Sequence, residues 1–189
     1  MTAPTRQQDV VDLLLDQHNE IKSLFSQVKA ARGEQKRQSF QSLVRLLAVH
    51  ESAEEQVVHP AARSNAGNEV VDARLHEESE AKQVLSDLYD LGVEAPEFDA
   101  KFAEFERAVL DHASHEERDE FPELRRSTDP DRLRRMAGAV RAAEQVSPTR
   151  PHPAAGESAA GNVLLGPPMG VFDRVRDALR DWRQSHTDD

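Results

Sequence analysis

One pattern, present twice, limits what this chain can fold into. His50-Glu51-Ser52-Ala53-Glu54-Glu55-Gln56-Val57-Val58-His59-Pro60 returns as His112-Ala113-Ser114-His115-Glu116-Glu117-Arg118-Asp119-Glu120-Phe121-Pro122. Each copy reads His-x-x-x-Glu-Glu, then three residues, then a large residue and Pro. On a helix, residues i and i+4 stack on one face, so His50 lies over Glu54 and His112 over Glu116. Phe40, Leu43 and Leu47 lead into the first pair, and Phe98, Phe102, Phe105 and Val109 into the second, all at helical spacing. The pairs therefore continue a core-facing stripe. A carboxylate in that position is costly to bury unless it is paired or holds a metal. Glu55 and Glu117 fall one step further round and are expected in solvent.

The rest of the chain supplies the helices that such pairs need. Residues 7–28 read as a first helix with Val11, Leu14, His18, Ile21, Phe25 and Val28 on one stripe, ended by the Gly33 signal. A second helix spans residues 34–59, and Pro60 is expected to end or kink it. Residues 63–68 read as a turn. A third helix, 69–91, carries Ala73, His76, Glu80, Val84, Leu88 and Leu91 on one face, with His76 and Glu80 again at i and i+4. After the break at Gly92 to Pro96, a fourth helix covers 97–121 and is expected to stop at Pro122. Four long helices with short connections predict an all-α, up-down-up-down four-helix bundle. At ~1.5 Å per residue, His18 and His50 lie about 15 and 17 residues either side of the first turn. His76 and His112 each lie about 16 residues from the Gly92–Pro96 break, so all four imidazoles fall in one layer.

Beyond the bundle, expected over residues 1–126, Asp129-Pro130 opens an additional helix within 127–146, with Leu133, Met136, Ala137 and Val140 on its apolar face. Arg125, Arg126, Arg132, Arg134, Arg135 and Arg141 form a basic patch, read as a solvated face. Residues 147–168, rich in Pro, Ala and Gly, read as a disordered linker. Val171, Val175, Leu179 and Trp182 mark a short C-terminal amphipathic helix within 169–189, expected to dock on the bundle or to meet a protein partner. The chain of 189 residues has no Cys, which excludes disulfides and thiolate chemistry. No segment has the pattern of a signal peptide or a membrane span, and a net charge of −11 argues against a nucleic-acid binder. The expected location is the cytoplasm.

His18, His50, Glu54, His76, Glu80, His112 and Glu116 thus offer seven nitrogen and oxygen ligands in one layer. One tetrahedral metal needs four, and structural zinc usually adds Cys. Seven donors suit two metals sharing carboxylate bridges, and carboxylate with imidazole favours iron or manganese. His59 and His115 are read as surface or supporting residues rather than ligands.

The two His-x-x-x-Glu-Glu motifs, with Asp16-Gln17-His18-Asn19-Glu20-Ile21 and His76-Glu77-Glu78-Ser79-Glu80, resemble the hemerythrin-like proteins, the HHE cation-binding domain family, over about Gln7 to Leu124. The resemblance implies a non-haem di-iron centre with an oxo or hydroxo bridge, with Glu54 and Glu116 bridging and His18, His50, His76 and His112 as ligands. Oxygen-carrying members have a further His where this chain has Glu80, a carboxylate that favours ferric iron over reversible O₂ carriage. The resemblance implies a protein that binds or reacts with O₂, hydrogen peroxide or nitric oxide, in oxidative or nitrosative stress or iron homeostasis. It leaves open an enzyme, for instance a peroxide-disproportionating one, or a binding or sensing protein. A ferritin-like di-iron oxidase is a further alternative. It would carry Glu-x-x-His on two helices, and His50, His76 and His112 lack a Glu three residues before them.

Overall fold

In the computed structural model the described residues are 8–61 and 68–146; the expected linker 147–168 and C-terminal helix 169–189 lie outside them. Among the described residues the fold is all-α. Four long helices form the bundle: α1 (Val10–Ala30), α2 (Gly33–Ala53), α3 (Asn68–Leu91) and α4 (Phe98–His115), followed by α5 (Phe121–Ser127) and α6 (Pro130–Val146). Asp9 caps α1: its Oδ1 accepts from the Asp12 backbone N–H at 2.9 Å, and the Asp12 carboxylate accepts from the Asp9 N–H in return. Arg125 reaches back from α5 to Asp9 at 2.9 Å and also contacts Asp12. The turns into α2 and out of α3 use Gly33 (φ 54°) and Gly92 (φ 81°), a left-handed region that costs a side chain with a Cβ.

Neither Pro60 nor Pro122 stops its helix. The chain passes through a π-helical turn at Glu54–Val58 and another at Glu116–Glu120, and helical backbone resumes on the far side of each. The His59 N–H donates to the Glu54 carbonyl and the Phe121 N–H to the Glu116 carbonyl, five residues back. The wide turn absorbs the missing Pro N–H and the ring's clash with the preceding turn. It also has a rotational consequence. Nine residues at about 100° each would set His59 half a turn away from His50, and the extra residue in the π turn takes back roughly 100°. His59 and Phe121 both land in the interior.

The polar layer lies between two apolar clusters. One gathers Phe25, Phe40, Leu43, Leu47, Leu88, Phe98, Phe102 and Phe105; Phe40 and Phe98 meet edge to face with centroids 5.2 Å apart. The other gathers Val10, Leu14, Val58, Phe121, Leu124, Leu133, Met136 and Val140. Along α1 the second cluster comes first, then Gln17 and His18, then the first cluster; α2 and α4 run through the same three zones in reverse. α6 closes the second cluster by packing on α1 and α2.

Candidate metal centre

The four bundle helices and the two π turns bring His and Glu side chains together in one layer. His18, His50, Glu54 and Glu116 offer one ligand atom each, all within 4.8 Å of one another; Glu54, Glu78, His112 and Glu116 form a second such group. Glu54 and Glu116 belong to both. The Nε2 atoms of His18 and His50 face each other at 3.0 Å. The His18 Nε2 lies 3.3 Å from the Glu116 Oε2, the His50 Nε2 3.4 Å from the Glu54 Oε1, and the His112 Nε2 3.2 Å from the Glu116 Oε1.

Each of these imidazoles is held from behind. His18 Nδ1 donates to Glu117 Oε1, His50 Nδ1 to Gln17 Oε1 and His112 Nδ1 to Glu77 Oε2, each at 2.9 Å. A carbonyl or carboxylate oxygen can only accept, so Nδ1 carries the proton and Nε2 turns its lone pair inward. Phe121 stacks on the His18 ring with centroids 5.5 Å apart. Glu117 is thus a working part of the site rather than a solvated side chain, and it also receives Lys22 at 3.2 Å. Glu55 likewise turns back to Lys82, which lies 3.7 Å from Glu51 and 3.9 Å from Glu78.

The third helix differs from the sequence expectation. His76 and Glu80 pair with each other at 3.3 Å on the outer side of α3, with 74% and 70% of their side-chain surfaces exposed. Among the described side chains of α3, the buried ones are Glu78, Leu85 and Leu88. Glu78 is two residues from both His76 and Glu80, about 200° round the helix, so the phase that buries Leu85 and Leu88 turns Glu78 inward and leaves the His76–Glu80 pair in solvent. His59, read from sequence as a surface or supporting residue, is buried: its Nε2 lies 2.5 Å from Glu78 and its Nδ1 3.1 Å from Glu120. The sequence signal for it is its place in the repeat, opposite the buried Phe121.

Burial and close neighbours pull the groups of the layer in opposite directions. Burial and then the neighbouring Glu116 push the Glu54 carboxyl well above its ordinary range. Burial acts the same way on Glu116, but the close approach of the His112 and His18 imidazoles outweighs it and holds Glu116 low. Burial, then His18, pushes His50 well below its usual value. Burial opposes protonation of His112 too, yet Glu116 and Glu77 raise it to about 9. All four carboxylate oxygens of Glu54 and Glu116 lack a hydrogen-bond partner, as do the His112 Nε2 and the Glu78 Oε2. Unsatisfied buried carboxylates are expensive, and divalent cations between the two groups would satisfy them, so the donor set fits a pair of metal ions.

Comparison with known proteins places the chain in a cation-binding family. The family model for the hemerythrin HHE cation-binding domain matches residues 9–124. A DNA nickase from Nostoc sp. is 28% identical over 137 residues, which is 72% of this chain and 39% of that protein. The chain therefore spans well under half the length of this relative. A crystal structure of a hemerythrin HHE cation-binding domain-containing protein from Mycobacterium kansasii superimposes with a TM-score of 0.65 at 21% identity, over 73% of this chain and 86% of that one, a likeness of fold.

Proposed function

This chain belongs to the hemerythrin HHE cation-binding domain family, and we propose that it holds two iron ions and reacts with peroxide or nitric oxide as part of an oxidative or nitrosative stress response. The observation that carries this reading is that Glu54 and Glu116 belong to both ligand groups and have no hydrogen-bond donor on any carboxylate oxygen. His18 and His50 would hold one ion, His112 and Glu78 the other, and the two shared carboxylates would bridge them. Nitrogen and oxygen donors without sulfur favour iron or manganese. Iron would supply the one-electron redox chemistry that peroxide or nitric oxide demands.

The protein's own contribution is orientation and exclusion. Glu117, Gln17 and Glu77 fix the imidazole rings, and the two apolar clusters seal the layer along the bundle axis. Glu78 would give the second ion a hard anionic donor, a choice that favours ferric iron over reversible O₂ carriage. The likeness to a DNA nickase covers 39% of that protein, and a net charge of −11 favours small-molecule chemistry over a DNA contact. Stopped-flow absorbance on the iron-loaded protein tests the reading. Rapid oxidation in air and turnover of hydrogen peroxide or nitric oxide are expected. A long-lived O₂ complex without turnover would make it an oxygen-binding protein instead.

A further inference from the structure

A cavity of about 540 Å³ reaches from the surface between α3 and α4 down to the polar layer. It is many times the roughly 30 Å³ that a water molecule occupies, and it falls within the ~300–1,000 Å³ of pockets that take organic ligands. Peroxide or nitric oxide alone would not need such a space. Its walls are apolar: Ile21, Leu47, Leu88, Phe105 and Val109 line it, with Val84 exposed at the edge. Its inner end is polar and incompletely bonded. Glu51 lines the cavity, is almost fully buried, and keeps an Oε2 without a hydrogen-bond partner, the Lys82 Nζ lying 3.7 Å away. Its mouth is acidic: Glu77, Glu80, Asp87, Glu104 and Asp111 stand against Lys101.

These features select a ligand. The apolar walls require an aliphatic or aromatic body. The Glu51 oxygen that receives no hydrogen bond calls for a head group that donates one, and Lys82 beside it and Lys101 in the lining disfavour a further cation. The acidic mouth, which focuses negative potential in a low-dielectric cleft, disfavours an anion. We propose that this cavity binds an uncharged aliphatic molecule with an O–H head, an alcohol or an alkyl hydroperoxide, with its tail between α3 and α4 and its head at Glu51. This deepens the peroxide reading above by naming a substrate class larger than hydrogen peroxide, and it rests on that reading only for its chemistry, not for the binding itself.

Titration calorimetry of the full metal-loaded chain with 1-octanol, octanoate and octylamine is the test, with metal content measured on the same sample. Octanol is expected to bind one per chain, and octanoate about tenfold or more weakly, as like-charge juxtaposition at a desolvated mouth implies. Ala108→Trp and Val84→Trp, at the cavity wall away from the proposed ligands, should each abolish octanol binding and leave the metal content unchanged. Absent octanol binding, binding untouched by both variants, or octanoate or octylamine binding as tightly as octanol would each overturn the proposal. Octanol binding by a protein that takes up no metal would sink the di-iron reading and leave the cavity assignment standing.

Discussion

The two copies of His-x-x-x-Glu-Glu begin alike and end differently. Both place His over Glu, and both open a π turn at the Glu that joins the two ligand groups. Beyond that they diverge. In the α4 copy the residue before Pro is Phe121, which stacks on His18 and joins the apolar cluster; in the α2 copy it is His59, which binds Glu78 and Glu120. The residue after the shared Glu diverges too: Glu117 orients His18, whereas Glu55 binds Lys82. The α4 copy thus seals the layer with hydrocarbon, and the α2 copy backs it with a second polar shell that reaches α3. A repeat fixes what the backbone does at a motif; the neighbouring helix decides what each side chain is for.

The largest effect should come from what the copies share. Glu54→Ala or Glu116→Ala should each remove both metals together, since each carboxylate sits in both groups. Full metal retention in either variant, by elemental analysis, would refute the bridging role. Making the copies alike comes next. His59→Phe would leave Glu78 and Glu120 buried without their imidazole partner, and breaking a buried pair by removing one partner costs about 3–5 kcal/mol. Denaturant unfolding of the metal-free protein should show that loss; a change within about 0.5 kcal/mol, the range of a surface substitution, would show the two ends to be interchangeable.

The same difference appears against pH. Burial alone would lower the His59 pKa, but hydrogen bonds to Glu120 and Glu78 outweigh it and push it up to about 10. A folded pKa above the unfolded value of about 6.5 gives stability that is complete below pH ~6.5 and lost as pH rises through the folded value. Glu54, raised by burial and by Glu116, acts in the same direction above its ordinary range. Metal-free protein should therefore melt at a lower temperature at pH 10 than at pH 6.5, and His59→Phe should flatten that slope. A melting temperature that rises across this window would contradict the assignment.

The smallest effect concerns α3. His76→Ala should leave the metal content unchanged, because His76 pairs with Glu80 in solvent, whereas Glu78→Ala should weaken one metal. Loss of metal in the His76 variant, with none in the Glu78 variant, would reverse the assignment of the α3 face.

What could be read from sequence follows the strength of each stripe. α1, α2 and α4 carry Phe and Leu at helical spacing directly into His18, His50 and His112, so their faces, and the meeting of Glu54 with Glu116, were legible. α3 offers no such guide. Its Glu78 and Lys82 look like a solvated face until Glu51, Glu55 and His59 are seen around them. The His76–Glu80 spacing imitates a ligand pair at the wrong phase. The π turns were also hidden: Pro60 and Pro122 signal a helix end, and only the packing of His59 and Phe121 shows that the helix widens and continues. Leu133, Met136 and Val140 mark an apolar face on α6 in the sequence, and α6 packs on α1 and α2.

The central claim is that the Glu54–Glu116 layer exists to hold a pair of metal ions. Elemental analysis of the full chain purified from iron-replete cells tests it most directly. The account predicts close to two irons per chain, falling to near none in Glu116→Ala. A single tightly held zinc, or protein that folds and stays free of metal, would contradict it.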